Sequence, residues 1–396
     1  MIIEEIHVRN YKVLRDIHLK NMPSFAVFLG ANGSGKSTLL DVFSFIQDCV
    51  LDNVEEAVQR RGGQNEVFSR GTAEPLQISI SFRISPKSNR LTYTLQLVRA
   101  NHGYTFVKRE SLQELLKPRR SLVLFSFVDG VGRVMSDGPS DSETRGDYQE
   151  EYQLENPDIL AMNALGQFTK YSTVSRVNQA IENWYCTSAF ATTKRVRRKP
   201  RETQEAQPSS LTTSGNNLGK VSNELFHSYP DVFERVVKKT KAFIPGLEDI
   251  TPEVVNESKI DLFFKDMAFN DSFPEKSMSD GARKIFSTML LLNEPVLHSL
   301  LTIEEPENEL YPQIIRPLAE NFRTYSEQGV QVLVSTHSPD FVNALEPGEL
   351  YWMEKKNGFA EIVHASDDTN LVSQNEGGDL LGLLWRQGFF GKIDPL

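Results

Sequence analysis

Gly30-Ala31-Asn32-Gly33-Ser34-Gly35-Lys36-Ser37-Thr38 is the stretch that decides the reading of this 396-residue chain. It follows the apolar run Phe25-Ala26-Val27-Phe28-Leu29, which predicts a short buried strand, and it precedes Leu39-Leu40-Asp41-Val42-Phe43, which predicts the start of a helix. Strand, glycine-rich loop and helix form the context that a G-x-x-x-x-G-K-[ST] phosphate loop requires. Glycines let the backbone curl so that several N–H groups converge on phosphate oxygens, and the helix N-terminus adds its partial positive charge. Asn32, Gly33, Gly35, Lys36, Ser37 and Thr38 are therefore the candidate nucleotide-binding residues. Lys36 is expected to reach the β- and γ-phosphates and Ser37 to hold Mg²⁺. A chance glycine-serine turn would not supply the whole pattern in this setting, so the expected ligand is a nucleoside triphosphate.

Composition narrows the class. The chain is long enough for one large domain or two ordinary ones. A formal net charge of −10 does not favour nucleic acid over the whole surface, so any such contact would need a local basic patch. Cys49 and Cys186 are the two cysteines, too few for a disulfide framework or a cysteine zinc site. The acidic, strand-like start Met1-Ile2-Ile3-Glu4-Glu5 is unlike a signal peptide. No run approaches the roughly 20 apolar residues that span a bilayer. A cytoplasmic protein with no membrane partner is expected.

Residues 2–20 predict two strands with Asn10-Tyr11-Lys12 at the turn, and the helix after the loop is expected to reach about Val50. A short helix is predicted from Val54 to Arg60, ending at Gly62-Gly63. Period-two runs at Gln77–Phe82, Leu91–Leu95 and Leu122–Phe125 predict an antiparallel sheet. Ser136 to Asn156, acidic and rich in Ser, Gly and Asp, is expected to be an exposed loop. Residues 157–235 read as mixed and partly helical. They contain the basic cluster Lys194-Arg195-Val196-Arg197-Arg198-Lys199-Pro200-Arg201, which could contact phosphates or simply be a solvated loop. Further on, a helix over Ala282–Leu292, a strand at Leu300–Ile303, a helix over Tyr311–Tyr325 and a strand at Val330–Val334 suit a parallel sheet covered by helices. Lys356-Asn357-Gly358 marks a hairpin.

Three more motifs carry chemistry. Leu300-Leu301-Thr302-Ile303-Glu304-Glu305-Pro306-Glu307 is an apolar strand ending in acids. Glu304 is placed to hold Mg²⁺ through its water shell, and Glu305 to orient or deprotonate the attacking water. Ser277-Met278-Ser279-Asp280-Gly281-Ala282 directly precedes a helix, and Ser279 and Gly281 form an anion-facing helix start. Val334-Ser335-Thr336-His337 ends a strand, where the His337 imidazole could bond a phosphate oxygen or the attacking water.

Together and in this order, the motifs resemble the ABC-type ATPase family, in its branch of SMC-, RecF- and OLD-like stand-alone ATPases. The resemblance includes Asn10-Tyr11-Lys12, the Ser-Asp-Gly signature, the Glu-Glu-Pro-Glu-Asn run and the Thr-His-Ser-Pro run ending at Pro339. It implies an α/β fold: an ABC-type P-loop ATPase head with a mostly parallel core sheet, an antiparallel β-subdomain and a helical insertion. The expected lobes are 1–135 with the phosphate loop, 136–245 as the insertion, and 246–396 with signature, Walker B acid and switch histidine. By position, Gly30–Thr38 is the Walker A loop and Ser279-Asp280-Gly281 the signature. Glu304 is the Walker B acid, Glu305 the catalytic base, His337 the switch histidine, and Lys36 completes the catalytic set. Asn308-Glu309-Leu310 lies where the family has its D-loop, which contacts the other copy across the dimer; relatives often read Asn-Gly-Leu-His-Pro there, where this chain has Asn308-Glu309-Leu310-Tyr311-Pro312. The Q-loop glutamine is not assigned, with Gln64 and Gln77 as candidates.

The resemblance implies a homodimer that sandwiches ATP, with the signature of one copy completing the site of the other, and higher oligomers are open. It implies ATP and Mg²⁺ as cofactors and hydrolysis as the reaction. The leading expectation is the ATPase subunit of an anti-phage or anti-plasmid defence system, with nucleic acid as a candidate partner. OLD-like relatives often carry a TOPRIM nuclease domain after the ATPase. The stretch after His337 is too short for one, so a nuclease or toxin effector is expected on a separate chain. DNA repair is the alternative. A transporter subunit fits the signature and the Glu304-Glu305 pair less well, and a small-molecule kinase would leave His337 and the signature without a role.

Overall fold

The structure is a computed structural model that describes residues 1–100, 103–116, 120–135, 149–187, 210–256 and 259–390. The basic cluster 194–201 lies outside them. Strands β1 (Ile2–Tyr11) and β2 (Leu14–Lys20) precede β3 (Phe25–Gly30), all six of whose residues are buried. Helix α1 (Lys36–Leu51) leaves the loop after β3, and α2 (Val54–Gln59) and α3 (Gln64–Val67) follow. A run of strands comes next: β4 (Leu76–Arg83), β5 (Arg90–Arg99), β6 (Thr105–Leu116), β7 (Arg120–Val128), β8 (Val131–Met135) and β9 (Gln149–Gln153). Helices α4 (Ala161–Leu165) and α5 (Ser172–Glu182) lead to the short β10 (Tyr185–Cys186).

Helices α6 (Leu218–Ser228) and α7 (Pro230–Lys241), strands β11 (Leu247–Asn256), β12 (Lys259–Asp266) and β13 (Ser272–Pro274), and helix α8 (Asp280–Leu291) follow. The last part holds β14 (Leu300–Glu304), α9 (Pro312–Ser326), β15 (Gln331–Thr336), α10 (Pro339–Val342), β16 (Leu350–Lys356), β17 (Phe359–His364), α11 (Thr369–Glu376) and α12 (Leu381–Arg386).

The strands form three sheets. One has the order β10-β14-β15-β3-β16-β17, parallel except for the β16–β17 hairpin. Its central strands read as continuous apolar runs because both faces are covered. The second is antiparallel, β2-β1-β4-β5-β6-β7-β8-β9, and the third is β11-β12-β13. The parallel core and the antiparallel subdomain agree with the sequence reading. The hairpin turn has Asn357 and Gly358 at φ 52° and 87°, the left-handed pair that a two-residue turn demands. One expectation fails in part. Residues 149–153, read as exposed loop, form strand β9 against β8. Ion pairs from Arg133 to Glu151 and from Lys170 to Glu150 neutralise the acids that made this run look like loop.

The chain divides into two units, one of Met1–Phe190, His298–Pro306 and Ser326–Leu396, the other of Ala191–Leu297 and Glu307–Tyr325. The first unit holds both large sheets, with α1 at its core. That helix is buried on nearly every side, Asp41, Gln47 and Asp48 included. Its buried acids are matched. Asp41 accepts from the Tyr11 hydroxyl at 2.5 Å, the Lys12 ammonium at 2.6 Å and the Arg61 guanidinium at 2.8 Å, and Arg61 also reaches Asp48 at 2.9 Å. Burial alone would raise the Asp41 carboxyl, but the charges of Arg61 and Lys12 outweigh it and hold it below its ordinary value. Gln331 links the two large sheets. Its side-chain amide accepts from Ile3 N–H at 2.9 Å and donates to the Ile3 and Pro23 carbonyls at 2.9 and 3.0 Å.

Glu110 on β6 is fully buried, accepting from the backbone N–H groups of Ala161 and Met162 and from the Tyr93 hydroxyl. Burial pushes its carboxyl up to about 7, although those three donors pull the other way. The folded protein thus binds this proton more tightly than the unfolded chain. The resulting stabilisation is complete below the ordinary value of 4.5 and is lost as pH rises through about 7. Its size is about 3 kcal/mol. Glu110→Gln is expected to flatten that loss, so denaturant unfolding at pH 5 and pH 8 should give nearly equal midpoints in the variant.

Candidate functional site

The phosphate loop sits at the C-terminal edge of the parallel sheet, where β14, β15 and β3 end in register, with Glu304 opposite Ser335 and Thr336 opposite Leu29. Ligands of open α/β sheets bind at this edge. The loop geometry is glycine-dependent. Gly33 and Gly35 have φ of 79° and 109°. A Cβ on Gly30 would stand 2.4 Å from the Met353 carbonyl and 2.6 Å from Ser34 Oγ. Asn32 and Gly33 are exposed, Thr38 half-buried, and the α1 N-terminus has no side-chain cap. Lys36 is buried and lies back along the loop, donating to the Gly30 and Ala31 carbonyls at 2.6 and 3.1 Å.

Ser37, in the first turn of α1, lies close enough to the Glu304 carboxylate for its hydroxyl to favour the charged form. Burial raises the Glu304 carboxyl above its ordinary value, the Ser37 hydroxyl lowers it, and the neighbouring acids Asp41 and Glu305 raise it again. A carboxylate so placed is short of positive charge, which suits a divalent cation beside it. Ser34 Oγ is buried with no hydrogen-bond partner among the described residues. An unsatisfied hydroxyl inside a glycine cradle, an uncapped helix start and a serine–carboxylate pair together fit a triphosphate with its metal.

Glu305 follows with φ 44°, an unusual backbone for a glutamate. Its N–H donates to the Ser335 carbonyl at 2.9 Å, and its carboxylate meets His337 Nδ1 at 3.2 Å. Both side chains remain partly exposed. The fold therefore gathers Lys36, Ser37, Glu304, Glu305 and His337 at one sheet edge of the first unit.

Ser279 and Gly281 lie in the second unit. Ser279 caps α8, accepting from Ala282 N–H at 3.2 Å. A Cβ on Gly281 would stand 2.6 Å from the Glu309 carbonyl, so the turn at the start of α8 packs directly on Glu309 and Leu310.

Sequence reasoning missed the ions behind the loop. Asp41 is one helical turn beyond Ser37, on the same face of α1. It draws Lys12 in from the β1–β2 turn, and Lys12 in turn lends positive charge to Glu304. The spacing of Ser37 and Asp41 was the available signal. Of the two Q-loop candidates, Gln77 sits inside β4 opposite Gln96, and Gln64 opens α3.

Comparison with known proteins agrees with this architecture. Residues 25–343 match the family described as "AAA domain, putative AbiEii toxin, Type IV TA system". The Old nuclease of Escherichia phage P2 is 22% identical over 180 residues, covering 34% of this chain and 30% of the nuclease. The chain thus spans less than a third of that relative's length. An SmcHead bound to the C-winged helix domain of ScpA is similar with TM-score 0.55 and 12% identity, over 92% of this chain and 98% of that one. The Smc head domain of Pyrococcus furiosus, bound to the C-terminal domain of ScpA, gives TM-score 0.51 and 12% identity over 94% and 99%. At such identity these two structures bear on fold alone. Nothing among the described residues is a helix long and apolar enough to cross a membrane. With the family match running from β3 into the residue after α10, the chain belongs to the family of AAA domains described as putative AbiEii toxin, and it has the fold of an SMC head domain.

Proposed function

We propose that the chain binds ATP with Mg²⁺ and hydrolyses it, dimerising around the nucleotide as it does so. The observation that carries this reading is the Glu305–His337 pair at the sheet edge beside the phosphate loop, where Glu304 stands next to the Ser37 hydroxyl. In this reading the backbone N–H groups of Asn32, Gly33 and Gly35 cradle phosphate, and Lys36 turns from the loop carbonyls to the β- and γ-phosphates. Thr38 closes the same helix turn, and Ser37 and Glu304 hold the metal. Bound Mg²⁺ would neutralise charge on the phosphate oxygens. Glu305 takes the proton of the attacking water, and His337 holds that carboxylate in place and bonds the γ-phosphate side. Ser279 and Gly281 serve the nucleotide of a second copy. The lobes are assigned as 1–135, 136–245 and 246–396.

We assign the cycle to defence against phage or plasmids, with a nuclease or toxin on another chain as effector and nucleic acid as a candidate trigger. Support comes from the family's description and from the likeness to a phage nuclease. Calorimetric titration of the purified chain with ATP and Mg²⁺ tests the nucleotide reading. One ATP per chain is expected, with affinity falling when EDTA removes the metal. Absence of binding would overturn it.

A further inference from the structure

Gly382 lies buried in α12, and glycine inside a helix costs about 0.5–1 kcal/mol relative to alanine. The neighbour of α12 supplies the reason for it. A Cβ on Gly382 would stand 2.1 Å from the Pro339 carbonyl oxygen and 2.6 Å from Asn343 Oδ1. Helix α12 therefore lies backbone to backbone against the first residue of α10. The same oxygen accepts from Asn343 N–H at 2.9 Å, so it is held from within α10 as well. Just upstream stands His337, and the bonds between leave little slack. Ser338 N–H donates to Thr336 Oγ1 at 3.0 Å, and Ser338 caps α10, its Oγ accepting from Phe341 N–H at 3.3 Å. His337 thus projects from a turn fixed on both sides, with its ring 3.2 Å from the Glu305 carboxylate. Helix α12 is itself firmly seated. Leu381, Leu384 and Trp385 are buried, and Phe390 beyond it meets Trp352 of β16 edge-on, 5.2 Å between ring centroids.

We infer that Gly382 is a positioning residue for His337: α12 is the wall that sets where α10, and with it the imidazole, stands relative to Glu305. The inference rests on the reading above, in which His337 holds the Glu305 carboxylate during ATP hydrolysis. A side chain at position 382 must push the Pro339 carbonyl away, because real Cβ atoms do not come within 3.0 Å of such an atom. The required displacement is about 1 Å, and close packing transmits it rather than absorbing it. Of the two helices α10 is the one to yield, being four residues long, while α12 is anchored by its buried side chains. The shift then enters the turn that carries His337. Misplacement on this scale costs about 100-fold in rate where it reaches the reacting groups.

The test compares Gly382→Ala with the parent full chain in ATP and Mg²⁺. Turnover is expected to fall about 10- to 100-fold while the ATP dissociation constant stays within about twofold, since the displaced segment carries no residue of the phosphate loop. Isotope-labelled histidine gives a readout independent of activity. The His337 ring resonance, assigned from its loss in His337→Ala, should shift in Gly382→Ala, while those of His7 and His18 on β1 and β2 stay in place. Should Gly382→Ala fail to fold, Leu384→Ala replaces it and is read in the same two ways, because removing that fully buried side chain unseats α12 from within. An unmoved His337 resonance in a folded variant overturns the inference and leaves the hydrolysis reading intact. A shifted resonance with unchanged turnover removes His337 from the reaction, and the positioning role goes with it. A parent chain that shows no ATP turnover sinks the hydrolysis reading and this inference together.

Discussion

Glu305→Gln is expected to slow ATP turnover by about 10²- to 10⁴-fold, the usual worth of a positioned general base. ATP affinity should be retained. The substitution is nearly isosteric and leaves the Glu305 N–H bond to Ser335 and the contact with His337 available, so the strained backbone persists. What disappears is the capacity to accept a proton. With the chemical step slowed and the nucleotide retained, the ATP-bound assembly should accumulate. Light scattering with ATP and Mg²⁺ should therefore report twice the protomer mass for the variant. Single-turnover phosphate release gives the rate, and normal turnover would remove Glu305 from the role of base.

Lys36→Ala should abolish productive ATP binding. One charge-assisted bond to phosphate contributes about 2–3 kcal/mol, or about 30- to 150-fold in affinity. The loss has a structural side as well, because the ammonium also satisfies the Gly30 and Ala31 carbonyls. The melting temperature measured without nucleotide separates the two effects. A variant that melts near the parent yet shows no ATP titration supports the phosphate role, and unchanged affinity would count against it.

Much of the first unit was legible because its signals are local. The phosphate loop, the buried runs at Phe25–Gly30 and Gln331–Thr336, and the acids ending β14 each carry their reading within a few residues. Elements stabilised by distant partners were harder to read. Strand β9 looked like an acidic loop until Arg133 and Lys170 met its glutamates. The three-stranded sheet was missed because β11 carries Pro252 and leaves Val254 and Val255 largely exposed, which blurs its alternation. At the candidate site the motif residues announce themselves by local spacing, whereas the Tyr11–Lys12–Asp41–Arg61 ion cluster does not. No spacing rule joins a turn at residue 12 to a guanidinium at residue 61. The departure at Glu309 was visible as a letter, but its left-handed backbone was not.

The seam at Gln331 has a consequence for how the chain comes to be folded during synthesis. Its amide closes on Ile3, 328 residues earlier, and β3 lies between β15 and β16. When the phosphate loop leaves the ribosome, both edges of the strand that carries it are still unpaired. One stays so until the chain has been made past Thr336 and the other until past Lys356. At about 5–20 residues per second this is a delay of tens of seconds, during which an apolar strand can pair with the wrong neighbour. The antiparallel strands β4 to β8 are adjacent in sequence and can pair within that interval. Nascent chains halted before β15 should therefore be protease-resistant in the antiparallel sheet and sensitive at the phosphate loop, and nucleotide competence should arrive late and all at once.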